Sequence, residues 1–312
     1  MSYPKVTVVG AGQVGATAAF LLLEKSLADV VLIDVAEGLP QGKALDMMHS
    51  RSVEHFGPRV TGTNDYADTA GSDVIVVTAG LARKPGMTRD DLLAANGRIV
   101  RSVIEQAAAA SPDAIILCVT NPLDIMVDLA WKVSGLPAQR VFGMGGVLDS
   151  ARFAYFIAAE TGVDISKIDA LACGAHGDAM VPMPRHSFVD GTRLTDLLSA
   201  DSVTELCRRT IFGGAEVVSL LKTGSAFYAP AASVVRMVKA ILTDSGDVVP
   251  SCVRLEGAYG IDGVHMSVPA RLGRAGVLEV PELDVNDAER VALQESARTI
   301  RTAIETLEGK DA

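Results

Sequence analysis

The chain has 312 residues, a net charge of −10 and 49% hydrophobic side chains, ample for the cores of two domains. No Lys/Arg cluster is present to grip nucleic acid, and no apolar stretch of about 18 or more residues is free of charge to span a membrane. An anionic ligand must therefore be drawn in by a local arginine group against the overall field, which screening over ~8 Å at physiological salt permits. The apolar run Val6–Val9 begins near the first residue, without the basic segment, hydrophobic segment and cleavage site of a secretory leader. Cys118, Cys173, Cys207 and Cys252 form no C-x-x-C pair. They read as reduced, mostly buried thiols of a cytoplasmic protein. Cys173 precedes His176 by three residues and fits a core thiol better than a nucleophile. No metal site is expected.

In chain order, strands are expected at Lys5–Val9, Val30–Asp34, Arg59–Thr63, Val74–Thr78, Ala114–Val119 and Arg140–Phe142. Most are continuously apolar, the pattern of strands covered on both faces. Helical segments, among them Val14–Lys25, Gly42–His49 and Thr88–Ala110, alternate with them. The expectation is a Rossmann-type, doubly wound parallel sheet. The second half opens with a helix at Asp149–Thr161 and continues with a hairpin turn at Asp190-Gly191. Helices at Asp201–Leu221 and Ala231–Leu242 follow, then antiparallel strands Val248–Glu256 and Gly263–Val268 around Asp262-Gly263, then a helix at Val285–Leu307. This α/β chain is thus divided into residues 1–148, a nucleotide-binding domain, and 149–312, an α+β substrate domain.

Val6–Gly15 reads VTVVGAGQVG. Gly10, Gly12 and Gly15 form G-x-G-x-x-G between a strand and a helix: a tight turn, a close approach for a pyrophosphate, and close helix–strand packing. The phosphates would face free N–H groups at the helix start. Asp34 ends the second strand, 19 residues after Gly15. It can accept from both ribose hydroxyls and would repel a 2′-phosphate, so NAD is favoured over NADP; a strand-end turn residue is the plainer alternative. A methyl-donor nucleotide could use a similar start. Thr78-Ala79-Gly80 and Val119-Thr120-Asn121-Pro122 follow later strands and belong at the crevice where such sheets bind ligands. Asn121 can donate and accept there, or simply begin the turn before Pro122. For Asn96, on the next helix, spacing alone says little.

Gly80–Arg89, GLARKPGMTR, puts Arg83 and Arg89 on a loop with a joint at Gly86 and a stiffener at Pro85. Such a loop can close over a small anion. Asp149 and Arg152 share one helix face in VLDSARF. They are either an N-terminal acid with a solvated arginine, or a substrate anchor beside an acid that orients a base. The base candidate is His176 in CGAHGDAMVP, one of five histidines. His49 and His186 have no acid partner suggested by spacing.

VVGAGQVG, VLID, GLARKPGMTR, VTNP, VLDSARF, GAHGDAMVP and LLKTGSAFYAPAAS together resemble the lactate-dehydrogenase-like malate dehydrogenases of the lactate/malate dehydrogenase superfamily. The resemblance covers nearly the whole chain and is most general at residues 40–60 and in the final helix. It implies reversible oxidation of (S)-malate to oxaloacetate with NAD, a tricarboxylic acid cycle reaction. It further implies that His176 accepts the proton, Asp149 orients it, and Arg152 forks the C1 carboxylate. Arg89 polarises the reacting carbonyl and Arg83 holds the distal carboxylate. Asn121 lies against substrate and cofactor, and Ser225 lines the substrate pocket. Gly10, Ala11, Gly12, Gln13, Val14, Gly15, Asp34, Thr78, Ala79, Gly80, Asn96, Val119 and Thr120 contact NAD. A homo-oligomer is implied, tetramer ahead of dimer.

These residue types suit the chemistry. Imidazole, with an ordinary pKa of about 6.5, exchanges protons near neutrality, and the arginine fork matches a carboxylate. Arg83 separates malate from lactate. Enclosed over lactate it would have no counter-charge, costing roughly 3–5 kcal/mol, enough for ~10²–10³-fold discrimination. Lactate dehydrogenase is the nearest alternative. A non-catalytic dinucleotide sensor or a scaffold would need the glycine turn and Asp34 at most, not the arginines and the Asp/His pair.

Overall fold

A computed structural model of the chain describes residues 3–81 and 88–311. The first half runs β1 (Lys5–Val9), α1 (Gln13–Glu24), β2 (Asp29–Ile33), α2 (Leu39–Glu54), β3 (Val60–Thr63) and β4 (Val74–Val77). It continues with α3 (Arg89–Ala110), β5 (Ile115–Cys118), α4 (Leu123–Ser134) and β6 (Val141–Gly143). The second half begins with α5 (Gly146–Thr161), β7 (Ile168–Asp169), β8 (Ala172–Gly174), β9 (Met180–Pro182), β10 (Phe188–Val189), β11 (Thr192–Arg193) and α6 (Leu194–Leu197). Then come α7 (Ala200–Leu221), α8 (Tyr228–Thr243), β12 (Val248–Glu256), β13 (Asp262–Gly273), β14 (Gly276–Glu279) and α9 (Asp287–Asp311).

Strands β3-β2-β1-β4-β5-β6 pair in parallel in that order, the doubly wound arrangement expected. Continuous apolarity in the strands serves two cores at once. Val74 and Val76 of β4 pack on one face with α1 and α8; Ile75 and Val77 pack on the other with α3 and α4. In β5, Ile115 and Leu117 alternate in the same way with Ile116 and Cys118. A smaller core joins Phe153, Phe156 and Ile157 of α5 to Val203 and Leu206 of α7. No helix of the described residues is long and apolar enough to cross a membrane.

The parallel sheet does not stop at β6. Cys252 of β12 pairs antiparallel with Gly143, and β13, β8 and β9 extend the same sheet. Gly143 suits this junction, because a Cβ there would press on Val127, Leu123 and Cys252. The hairpin turn is where expected, with Asp190 and Gly191 both at positive φ between β10 and β11. β13 runs five residues beyond its expected end, to Gly273, and turns through Gly276 into β14. β8 and β9 were not anticipated. Three residues each, they are too short and glycine-broken to show a period.

Candidate active site

The glycine turn joins β1 to α1 at the carboxyl end of the parallel strands. Gly10 has φ +105, and a Cβ on it would lie 2.7 Å from Thr78 Oγ1 and 2.8 Å from the Ala79 nitrogen. A Cβ on Gly15 would collide with the Gly10 carbonyl oxygen. Gly12 faces open space and caps α1 without a side-chain hydrogen bond. The first-turn N–H groups of α1 are therefore free to meet an anion. Asp34 follows β2 and has a structural task as well. Its Oδ2 accepts from the Ala11 N–H at 2.7 Å and its Oδ1 from the Ala36 N–H at 2.9 Å. Lys43, not singled out by its spacing, donates to the Ala11 carbonyl at 2.7 Å.

Beside this turn lies a cavity of about 690 Å³, lined among others by Gly10, Gly12, Asp34, Thr78, Ala79 and Gly80. Tyr66 also borders it, its hydroxyl pushed up to about 12 by burial and by the Asp34 charge. An open Gly12, an exposed helix start and a carboxylate at the end of β2 fit a dinucleotide: diphosphate at the turn, ribose at Asp34. Asn96 is buried and holds the crevice walls together. Its Oδ1 accepts from Leu81 N–H at 2.7 Å, and its Nδ2 donates to the Asn121 carbonyl at 2.7 Å and the Leu81 carbonyl at 3.2 Å. Thr120 Oγ1 donates to the Ala79 carbonyl at 2.7 Å.

A second cavity, of about 280 Å³, brings the two halves of the chain together. Val14, Val119 and Asn121 line it from the nucleotide side, and Arg152, His176 and Ser225 from the other. His176 sits between β8 and β9, flanked by Gly174 and Gly177 at positive φ; a Cβ on Gly174 would press on Ser296, while Gly177 faces open space. Its Nδ1 lies 2.8 Å from Asp149 Oδ2, although 27 residues separate the two. Arg152 Nη1 donates to Asp149 Oδ1 at 3.3 Å, one helical turn along α5. The guanidinium lies across α7 at Gly214, where a Cβ would already touch both of its terminal nitrogens at 3.5 Å.

Asp149 is 2% exposed, so its charge acts on its neighbours with little water between. Burial disfavours the His176 imidazolium. The Asp149 carboxylate, through charge and hydrogen bond, together with Asp124, outweighs that burial and raises the His176 pKa above 6.5. Nδ1 turned to a carboxylate leaves Nε2 as the ring nitrogen not engaged by Asp149.

Arg83 lies outside the described residues. Arg89 opens α3, and its side chain lies outside them too. The start of α3 is well specified. Thr88 Oγ1 accepts from the Asp91 N–H and Asp91 Oδ2 accepts from the Thr88 N–H, both at 3.0 Å, a reciprocal capping box.

Residues 4–143 match the NAD-binding domain of lactate/malate dehydrogenases, and residues 146–310 match their alpha/beta C-terminal domain. The chain belongs to the lactate/malate dehydrogenase family. It is 51% identical over 302 residues to malate dehydrogenase of Trichormus variabilis, covering 97% of this chain and 93% of that one. It is 50% identical over 304 residues to malate dehydrogenase of Dehalococcoides mccartyi, covering 97% and 99%. Among solved structures, Cryptosporidium parvum malate dehydrogenase superposes with TM-score 0.96 at 41% identity, covering 98% of this chain and 99% of that one. The lactate dehydrogenase of Cryptosporidium parvum, solved with lactic acid and NAD, gives TM-score 0.95 at 42% identity and covers 99% of both chains.

Within this lactate/malate dehydrogenase fold, one buried group beside His176 escaped the sequence reading. Asp124 Oδ2 accepts the His176 backbone N–H at 2.9 Å. In sequence it is an ordinary first-turn acid after Pro122. Nothing in its spacing points to a residue 52 positions on.

Proposed function

We propose that the protein is an NAD-dependent malate dehydrogenase that interconverts (S)-malate and oxaloacetate. The observation that carries this reading is one cavity lined by Asn121, Arg152, His176 and Ser225, with Asp149 on the histidine's Nδ1. The curated relatives that share half of its residues carry the name malate dehydrogenase. Bound NAD would supply the hydride acceptor at the nicotinamide. Gly10 to Gly15 and Asp34 would hold its diphosphate and ribose, with Thr78, Ala79, Gly80, Asn96, Val119 and Thr120 along its length.

In malate oxidation, neutral His176 takes the hydroxyl proton at Nε2, and Asp149 keeps the imidazolium oriented and favoured. In the reverse direction the imidazolium returns that proton to the carbonyl oxygen. Arg152 forks the C1 carboxylate, and the Asp149 bond to its Nη1 fixes the aim of that fork. Arg89 polarises the reacting oxygen, and Arg83 answers the distal carboxylate as the loop closes and water leaves. Asn121 and Ser225 shape the pocket around the four-carbon chain.

Similarity of fold does not separate malate from lactate, since enzymes of both names superpose closely. The assignment to malate rests on Arg83 and on the names of the relatives. We further take residues 1–148 and 149–312 as the nucleotide and substrate domains, and the working form as a cytoplasmic homo-oligomer, tetramer ahead of dimer. Four free cysteines suit a reducing compartment. Following NADH absorbance with oxaloacetate, with pyruvate and with neither tests the reading. Rapid consumption with oxaloacetate alone is expected. Equal or faster consumption with pyruvate would make it a lactate dehydrogenase, and none with either would remove the assignment.

A further inference from the structure

We propose that Asp124 is a positioning residue for His176, anchoring its backbone and supplying, beside Asp149, a second negative charge toward the imidazolium. The inference rests on His176 being the proton carrier. Asp124 stands in the first turn of α4, 3% exposed. Both of its oxygens are used. Oδ2 accepts the His176 N–H at 2.9 Å, and Oδ1 accepts the Cys252 thiol from β12 at 3.3 Å. A neutral acceptor such as Asn could hold the same N–H without the cost of burying a charge. An acid at this place therefore calls for a return on its charge, and that charge favours the cationic form of the nearby His176 ring.

Among the described residues, these charged and titratable groups act on the pair. Asp149 and Arg152 act on His176 from α5, the first favouring the imidazolium and the second opposing it. Asp149 repels Asp124, while the His176 N–H and the Cys252 thiol favour its carboxylate. Cys118 and Cys252, both buried, stay protonated because burial lifts Cys118 to about 12 and Cys252 well above 9.0. Burial raises Asp124 itself to about 6 against those hydrogen bonds. It is thus mostly ionised near neutral pH and loses its charge below about 6. The histidine would then be held by two carboxylates of different kinds. One aims the ring through Nδ1; the other fixes the backbone behind it.

The test reads the ring directly. The His176 imidazole is titrated by proton NMR in the ligand-free protein, its signal assigned by its disappearance in His176→Gln. Asp124→Asn keeps an oxygen for the N–H but removes the charge, so the midpoint should fall by roughly one unit. Asp124→Ala removes both. It should lower the midpoint as far and also reduce kcat for oxaloacetate below that of Asp124→Asn, with a smaller change in KM. A wild-type midpoint in Asp124→Asn would overturn the proposal. If that variant does not fold, Cys252→Ala gives the same readout. Loss of the thiol donor raises Asp124 and should pull the His176 midpoint down by a smaller amount; an unmoved midpoint there also overturns it. The titration needs no substrate, so a protein that fails with oxaloacetate but shows the shift would refute the assigned substrate and leave this inference standing.

Discussion

At the scale of single residues, His176 has the sharpest consequences. Replacing it with Gln removes the proposed proton carrier, so kcat should fall by roughly 10²–10⁴-fold. NADH affinity, read by fluorescence, should barely change, since the glycine turn and Asp34 are untouched. Its raised pKa fixes the sign of the pH dependence. Malate oxidation needs the neutral ring, so kcat/KM for malate should rise with pH through a midpoint above 6.5. Oxaloacetate reduction needs the imidazolium and should fall through the same midpoint. In Asp149→Asn the main group favouring the cation is gone and burial is left to dominate. The midpoint should then drop, along with turnover, and a profile unmoved by that variant would remove Asp149 from its role. Of these features the residue types were readable but their meetings were not. An acid and a histidine 27 residues apart touch only because β8 returns along β13 to set His176 beside the first turn of α5. Asp124 was invisible for a similar reason: two residues after Pro122 it is indistinguishable from any helix-starting acid.

At the scale of elements, the local signals that the chain writes most strongly came through. The apolar runs of β1, β4 and β5 alternate between two cores, as strands covered on both sides must. The Thr88 cap starts α3 where its composition says it should. What was unreadable is short or long-range: the three-residue strands flanking His176, and the pairing of Cys252 with Gly143 that fuses the sheet. Two substitutions probe these elements. Gly15→Ala drives a methyl into the Gly10 carbonyl oxygen, so the turn must open. NADH affinity should fall at least tenfold while the far-UV circular dichroism stays close to wild type; unchanged affinity would show that the turn does not hold the cofactor. Thr88→Ala deletes one arm of the capping box on α3. It should cost about 1 kcal/mol in urea denaturation, without the loss of NADH affinity expected of Gly15→Ala.

At the scale of the whole molecule, the sheet runs unbroken from β3 to β9 through β6 and β12. The core on one side of the sheet collects side chains from both halves, including Val8 and Leu117 with Val238, Val253 and Ile300. Neither half buries its strands alone. Calorimetry should therefore find one unfolding transition, raised in temperature by NAD according to its binding, and not two with only one responding. The same continuity lets a nucleotide half and a substrate half face each other across a cavity of about 280 Å³. In the proposed reaction the Arg83 charge is matched to a second carboxylate, and that match is most directly read as a ratio. We predict that kcat/KM for oxaloacetate far exceeds that for pyruvate, and that Arg83→Gln lowers the ratio by ~10²–10³-fold. Equal losses on both substrates, or a wild-type ratio near unity, would contradict the account.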